Sequence, residues 1–288
     1  MLGQAVQARL GGTERSVVIT GRQELDVTDR AAVMDFVASR EITHILNCAA
    51  YTKVDQAEEE EPAAQAANGD GPGFLAEGAV AQGATLVHVS TDYVFAGDHQ
   101  VPYRETDPVG PKGVYGRTKL AGEEAIARVV GSWGAPRTPA VILRTSWLFG
   151  PGGPNFVATM FRLIRERPEL KVVADQIGRP TFTGDLADAM VRAAGIEGEP
   201  LPSGTYHFAG EGVTSWHGFA VAIAEAMRPH LGEISCDIAP VTTAEFPRPA
   251  PRPAYSVMST EKYAAAAGAP PPSWRVGLAE TVAKLVEE

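Results

Sequence analysis

Over the first half of the chain, short apolar runs alternate with stretches whose apolar residues recur at helical spacing. Residues 16–20 (SVVIT) read as a strand and 29–40 as a helix, with Val33, Phe36 and Val37 on one face. Thr28 precedes that helix as its expected N-cap. Residues 44–50 (HILNCAA) form a near-continuous apolar run, the pattern of a strand covered on both faces in a parallel sheet. An alanine-rich helical stretch over 55–82 follows, then a strand at 85–91, a helix over 112–131 and a strand at 140–146. This alternation with short joints predicts a parallel sheet with right-handed crossovers, a doubly wound α/β fold.

Beyond about residue 150 the pattern loosens. Helices are expected at 155–167, 185–194, 215–228 and 275–287, among short strands and proline-rich joints. Thr183 or Asp185 is available to cap the second of these, and 214–217 (TSWH) opens the third in the same way. Residues 246–253 (FPRPAPRP) favour polyproline II, as an SH3-type ligand or, inside a folded chain, as a rigid loop lining a pocket. The expected organisation is a dinucleotide-binding part over 1–150 and a smaller, mixed substrate-binding part over 151–288, not cleanly separable.

Composition narrows the function classes. With 44% hydrophobic and 21% charged residues, the chain is ordinary globular protein, long enough to bury a core without staples. The formal charge of -10, with the densest run at Glu58, Glu59, Glu60 and Glu61, argues against nucleic-acid binding by phosphate neutralisation. That acidic run reads as a solvated helix face. An anionic cofactor stays compatible, because a helix N-terminus with a few basic side chains can hold one. Two cysteines without a CxxC pair, and histidines without ligand spacing, predict neither a disulfide framework nor a metal site. Cys48 reads as a small structural residue and His88 as a core residue of its strand. No apolar stretch approaches about 18 residues and no leader pattern opens the chain, so a cytoplasmic protein that does not span a membrane is expected.

The chemistry concentrates in Thr91, Tyr115 and Lys119. Tyr115 and Lys119 lie four apart at the start of a predicted helix, on one face. An ammonium near a phenol favours the phenolate, so Lys119 is expected to lower the pKa of Tyr115 and make it a proton donor near neutral pH. Thr91 closes a parallel strand, where open α/β sheets bind ligands, and its hydroxyl can hold a carbonyl oxygen that Tyr115 protonates as hydride arrives.

The strings STDYVF (90–95) and YGRTKLAGE (115–123), with twenty-four positions from Thr91 to Tyr115, resemble the extended short-chain dehydrogenases/reductases. Further blocks narrow the likeness: NCAAYTKVDQAE (47–58), RTSW (144–147), DQIGRPT (175–181), GTYHF (204–208), TSW (214–216) and RPAYS (252–256). In this order they resemble the dTDP-4-dehydrorhamnose reductase family over nearly the whole chain. The resemblance implies a Rossmann-like fold and reduction of the 4-keto group of a dTDP-linked 6-deoxyhexose by NADPH, with NADH open as the alternative. It implies Thr91, Tyr115 and Lys119 as catalytic residues. Leu2, Gly3, Arg22, Asp26, Val27, Ala49, Ala50 and Tyr51 would lie on the cofactor, joined by Tyr115 and Lys119. Arg22 would meet a 2′-phosphate. Thr91, Asp92, Trp147, Asn155, Arg179 and Arg252 would line the substrate. Some family members carry intersubunit magnesium, for which no site maps here; a homodimer fits equally. Other readings are a reductase of another dTDP-4-keto sugar, of streptose or antibiotic type, and a non-catalytic regulatory subunit of methionine adenosyltransferase type.

The family begins with a strand and a Gly-x-x-Gly-x-x-Gly loop. Residues 1–6 (MLGQAV) match the last stretch of that loop, making Gly3 its third glycine and leaving the first strand and two glycines outside these 288 residues. The expectation is a cellular protein that starts further upstream, against a shortened relative that binds cofactor poorly. A central strand missing from the sheet should leave unpaired edges around a gap.

Overall fold

The computed structural model describes residues 1–12 and 16–287. Its central sheet has four parallel strands, β1 (His44–Asn47), β2 (Thr85–Thr91), β3 (Ala140–Thr145) and β5 (Gly204–His207), hydrogen-bonded in that order. β4 (Glu169–Val173) instead pairs in parallel with β6 (Asp237–Val241), as a separate two-stranded ribbon.

The sheet sorts its side chains by the two-residue period of a strand. Val87, Val141 and Leu143 face α1 (Leu2–Leu10) and α6 (Thr183–Ala193), packed with Leu2, Val6, Leu186 and Met190. Leu86 and Ile142 face the opposite layer: α2 (Arg30–Ala38), α3 (Gly71–Gln82) and α4 (Val114–Val130), with Val33, Leu75 and Ile126. A third core joins α5 (Phe156–Glu166), α7 (Trp216–Leu231) and α9 (Trp274–Glu287) around Phe149, Phe182, Phe219 and Trp274. The short helix α8 (Glu261–Ala267) packs Tyr263 against Phe208. Segments beyond residue 150 thus complete the first layer system, with α6 on α1 and β5 on β3.

Several sequence expectations shift. The strand expected at 16–20 does not form: Val17, Val18 and Ile19 are 40%, 58% and 52% exposed and pair with nothing in the sheet. A strand exists only by exchanging N–H and C=O bonds with a neighbour, and β1, with His44, Ile45 and Leu46 half-buried, bonds only β2 and stands at the sheet edge. The helix over 29–40 runs as α2, capped by Asp29, whose carboxylate accepts from the Ala32 N–H at 3.1 Å; Thr28 instead donates to Asp26. The stretch 55–82 is broken into Val54–Ala57, Glu61–Gln65, a π-turn Ala66–Asp70 and α3, with Pro62 and Pro72 each in the first turn of a new helix, where proline is tolerated. Neither Thr183 nor Asp185 caps α6, whereas Ser215 caps α7 through the Gly218 N–H at 2.9 Å.

Two glycines let α4 lie close to its neighbours. A Cβ on Gly116 would stand 2.2 Å from the Tyr93 carbonyl oxygen, and one on Gly122 would stand 2.1 Å from that of Asn68. Any side chain there would push the helix carrying Tyr115 and Lys119 off the sheet. Among the described residues no helix is long and apolar enough to cross a membrane.

Candidate active site

Thr91, Asp92, Tyr115 and Lys119 converge where β2 ends and α4 begins, at the carboxyl edge of the sheet. α4 starts at Val114, whose N–H is taken by the Glu58 carboxylate at 2.9 Å, since Gly113 has no side chain to cap with. Glu60 accepts from the Tyr51 hydroxyl at 2.7 Å. Two members of the acidic run thus anchor the site rather than forming a merely solvated face.

Tyr115 is half-buried, its ring edge-on to Tyr93 with centroids 5.5 Å apart. Burial pushes its phenol up to about 12; the Thr91 hydroxyl opposes that shift and the Asp92 charge adds to it. The expected lowering by Lys119 is not found. The amine points elsewhere, donating to the Val89 carbonyl at 2.7 Å and meeting the His88 Nε2 at 3.2 Å. Burial draws Lys119 down to about 8, against the pull of Glu123. Tyr115 therefore holds its proton throughout the physiological range and releases it only to a strong base, such as an alkoxide.

Asp92 is almost fully buried, and its carboxyl is pushed up to about 6 by desolvation, with the Ser256 and Thr91 hydroxyls opposing. Thr91 Oγ1 donates to Asp92 Oδ1 at 3.0 Å, while Oδ2 has no hydrogen-bond partner. A raised native pKa stabilises the fold below the unfolded value, and that contribution is lost as pH rises through about 6. Asp92→Asn removes the titration. Its unfolding free energy should gain on the parent between about pH 4 and 6, by roughly 2–3 kcal/mol in urea titrations at neutral pH; equal pH dependence of the two proteins would count against a buried carboxyl of raised pKa.

A buried ion pair supports α4 one turn further on. Arg144 on β3 forks onto Glu123, with Nη2–Oε2 at 2.6 Å and both side chains 6% exposed, and the Ser90 hydroxyl donates to the same carboxylate at 2.5 Å. The loop after β1 is clamped by Asn68 of the π-turn: its amide accepts from Tyr51 N–H at 2.8 Å and donates to Tyr51 O at 3.0 Å. Ala49 and Ala50 stay exposed beside it.

Trp147 follows β3 with φ +47, a left-handed conformation rare outside glycine, aspartate and asparagine. Its indole stacks on Trp216 at 3.7 Å, and a Cβ on Gly178 would stand 2.6 Å from its ring. Contacts from two other elements thus hold the strained residue, as expected where a side chain must be aimed. Trp216 and Gly178 lay inside sequence blocks without an assigned role.

Other expected site residues are placed differently. Asn155 caps α5, accepting from Ala158 N–H at 3.1 Å and donating to Gly150 O and Gly153 O at 2.8 and 2.9 Å. Arg252 pairs with Asp55 at 2.9 Å, so its charge is already answered; Pro251, Arg252 and Pro253 line a small pocket with Tyr93 and Phe95. Arg179 donates to Met258 O at 3.1 Å and keeps a buried Nε without partner. Arg22, with an 85% exposed side chain, bonds Asp26 at 3.4 Å on a surface turn, and Val27 packs against α3. Leu2 puts its side chain in the core, while Gly3 has open space around it. Among the described residues no group of three His, Cys, Asp or Glu side chains is placed to hold a metal ion.

The residues present suit a nicotinamide dinucleotide. Hydroxyl and phenol meet at the sheet's carboxyl edge, one helical turn from Lys119 and near exposed Ala49 and Ala50, and the N-terminus of α1 has no side chain over Gly3.

The RmlD substrate binding domain family matches residues 1–287. A dTDP-4-dehydrorhamnose reductase of Streptomyces griseus is 44% identical over 287 residues, covering 99% of this chain and 91% of that protein. Among solved structures, a dTDP-4-dehydrorhamnose reductase of Clostridium acetobutylicum superposes with TM-score 0.89 at 38% identity, covering 99% and 95% of the two chains. One from Bacillus anthracis in complex with NADP gives 0.87 at 36% identity, covering 98% and 95%. The chain belongs to the dTDP-4-dehydrorhamnose reductase family.

Proposed function

We propose that this chain reduces the 4-keto group of dTDP-4-dehydro-6-deoxy-L-mannose to give dTDP-L-rhamnose, with NADPH as reductant. The observation that carries the reading is the meeting of Thr91, Tyr115 and Lys119 at one sheet edge, in a member of this reductase family. Leu2, Gly3, Ala49, Ala50 and Tyr51 would hold the dinucleotide, with Arg22 near its 2′-phosphate and Asp26 and Val27 near adenine; when bound, its nicotinamide supplies hydride to the sugar C4. Thr91 holds the carbonyl oxygen, and Tyr115 gives that oxygen its proton as charge develops there. Lys119 anchors the nicotinamide ribose, and as an ammonium it offsets the negative charge left on Tyr115. Asp92, Trp147 and Arg179 bound the sugar side. Asn155 and Arg252 act there through the turn and the ion pair that hold them.

NADPH absorbance followed over a panel of dTDP-4-keto-6-deoxyhexoses tests this. The expected outcome is fastest oxidation with dTDP-4-dehydrorhamnose and dTDP-L-rhamnose as product. The assay is run on the 288-residue chain and on a version extended upstream by a strand and glycine loop. Faster turnover of another sugar would reassign the substrate. No oxidation by either folded protein, with stable co-purification of an adenosyltransferase, would favour the regulatory reading.

A further inference from the structure

His88 is fully buried on β2, on the face turned to α4, and no step described above uses it. It stands between Asn47 of β1 and Lys119 of α4: Nδ1 lies 2.9 Å from Asn47 Nδ2, and Nε2 lies 3.2 Å from Lys119 Nζ. The direction of these bonds can be deduced. Asn47 Oδ1 accepts from the Ala49 N–H at 3.0 Å, so flipping the amide would set two donors against each other. Asn47 Nδ2 therefore donates to His88 Nδ1, and the neutral imidazole carries its proton on Nε2. Burial, with Lys119 nearby, holds the ring neutral, its pKa well below the ordinary value.

An Nε2–H facing an ammonium offers it no lone pair. The contact is satisfied when Lys119 is an uncharged amine that accepts from His88 and donates to Val89 O. We propose that His88 is a positioning residue that sets the charge of Lys119: locked by Asn47 as its Nε2–H tautomer, it donates to the uncharged amine and so opposes the ammonium that the reductase reaction uses. Resting on the reductase reading above, this makes Lys119 a group whose charge changes within the working pH range.

The other groups bearing on Lys119 are few. Glu123 on α4 raises its proton affinity, but that carboxylate is shared with Arg144 of β3 and Ser90 of β2. Cys48, after β1, also raises it, yet its own thiol is pushed up to about 12 by burial and stays neutral. Tyr115, on the same helix, is neutral too. Desolvation and the His88 contact therefore act together against the charge of Glu123.

Substituting His88→Gln puts an amide in reach of Nζ that can turn its oxygen to the ammonium. Asn47→Asp is isosteric: its carboxylate accepts from Nδ1–H, moves the imidazole proton, and frees Nε2 to accept from Lys119. The test is NMR on the cofactor-free protein, with ¹⁵N-histidine to find the protonated nitrogen and ¹³Cε-lysine to titrate Lys119. In the parent the His88 proton is expected on Nε2 and Lys119 is expected to titrate near 8. Both variants should move that titration up by about one pH unit, and the alkaline limb of kcat/KM with it. Asn47→Asp should also move the imidazole proton to Nδ1. A parent His88 carrying its proton on Nδ1, or a Lys119 titration equal in parent and variants, overturns the proposal. Because the NMR needs neither sugar nor cofactor, the expected tautomer and titration without turnover would fault the reductase reading alone.

Discussion

Tyr115→Phe should lower kcat with dTDP-4-dehydrorhamnose by about 10²–10⁴-fold while leaving NADPH affinity within a few-fold, because general acid catalysis by one positioned group contributes that much. The substitution removes only a hydroxyl. The ring keeps its edge-on contact with Tyr93, so packing is preserved. Single-turnover absorbance and a fluorescence titration of NADPH separate the two quantities. The physical basis is the position of the phenol beside Thr91 and Asp92, with its proton held to about pH 12. Such a tyrosine is a poor spontaneous acid and a good donor to an alkoxide. An enzyme that kept its kcat without the hydroxyl would have to take the proton from solvent or from Asp92, and the proposed mechanism would fall.

The second large effect is on stability. Glu123→Ala should cost about 3–5 kcal/mol in urea unfolding, because it leaves the Arg144 guanidinium buried without its counter-charge. Arg144 Nη1 already lacks a hydrogen-bond partner in the native fold. The double variant Glu123→Leu with Arg144→Met should recover most of that loss, since a buried pair is often replaceable by apolar side chains. Arg162→Ala is the control: the Arg162–Glu166 pair has both side chains more than half exposed, and surface pairs contribute about 0–1 kcal/mol. Equal losses in Glu123→Ala and Arg162→Ala would contradict the buried geometry. Glu123→Ala also deprives Lys119 of the charge that supports its ammonium, so its remaining activity should fall off at lower pH than in the parent.

The proposed catalytic trio was legible in the sequence because its placement is local. Helical periodicity puts Tyr115 and Lys119 one turn apart, and the end of a parallel strand puts Thr91 at the ligand edge. The strands at 85–91 and 140–145 and the helices within 29–40 and 112–131 were legible for the same reason: their apolar period is set by near neighbours in the chain. The segment at 16–20 shows the limit. Its residues have strand propensity, but a strand is a property of a pair, and no neighbour meets it.

By itself, then, the sequence determined the α/β architecture, the family and the identity of Thr91, Tyr115 and Lys119, since these rest on periodicity, spacing and ordered motifs. Tertiary structure alone decided how those groups are charged and held. It turned the Lys119 amine toward His88 instead of the phenol, because strand parity sets His88 facing α4 at the same level. It brought Asp55 to Arg252 and closed the turn around Asn155. Trp147 was placed against Trp216 from a helix far along the chain. These outcomes depend on distances between residues remote in sequence and on the desolvation they share. Neither can be read from the order of the residues.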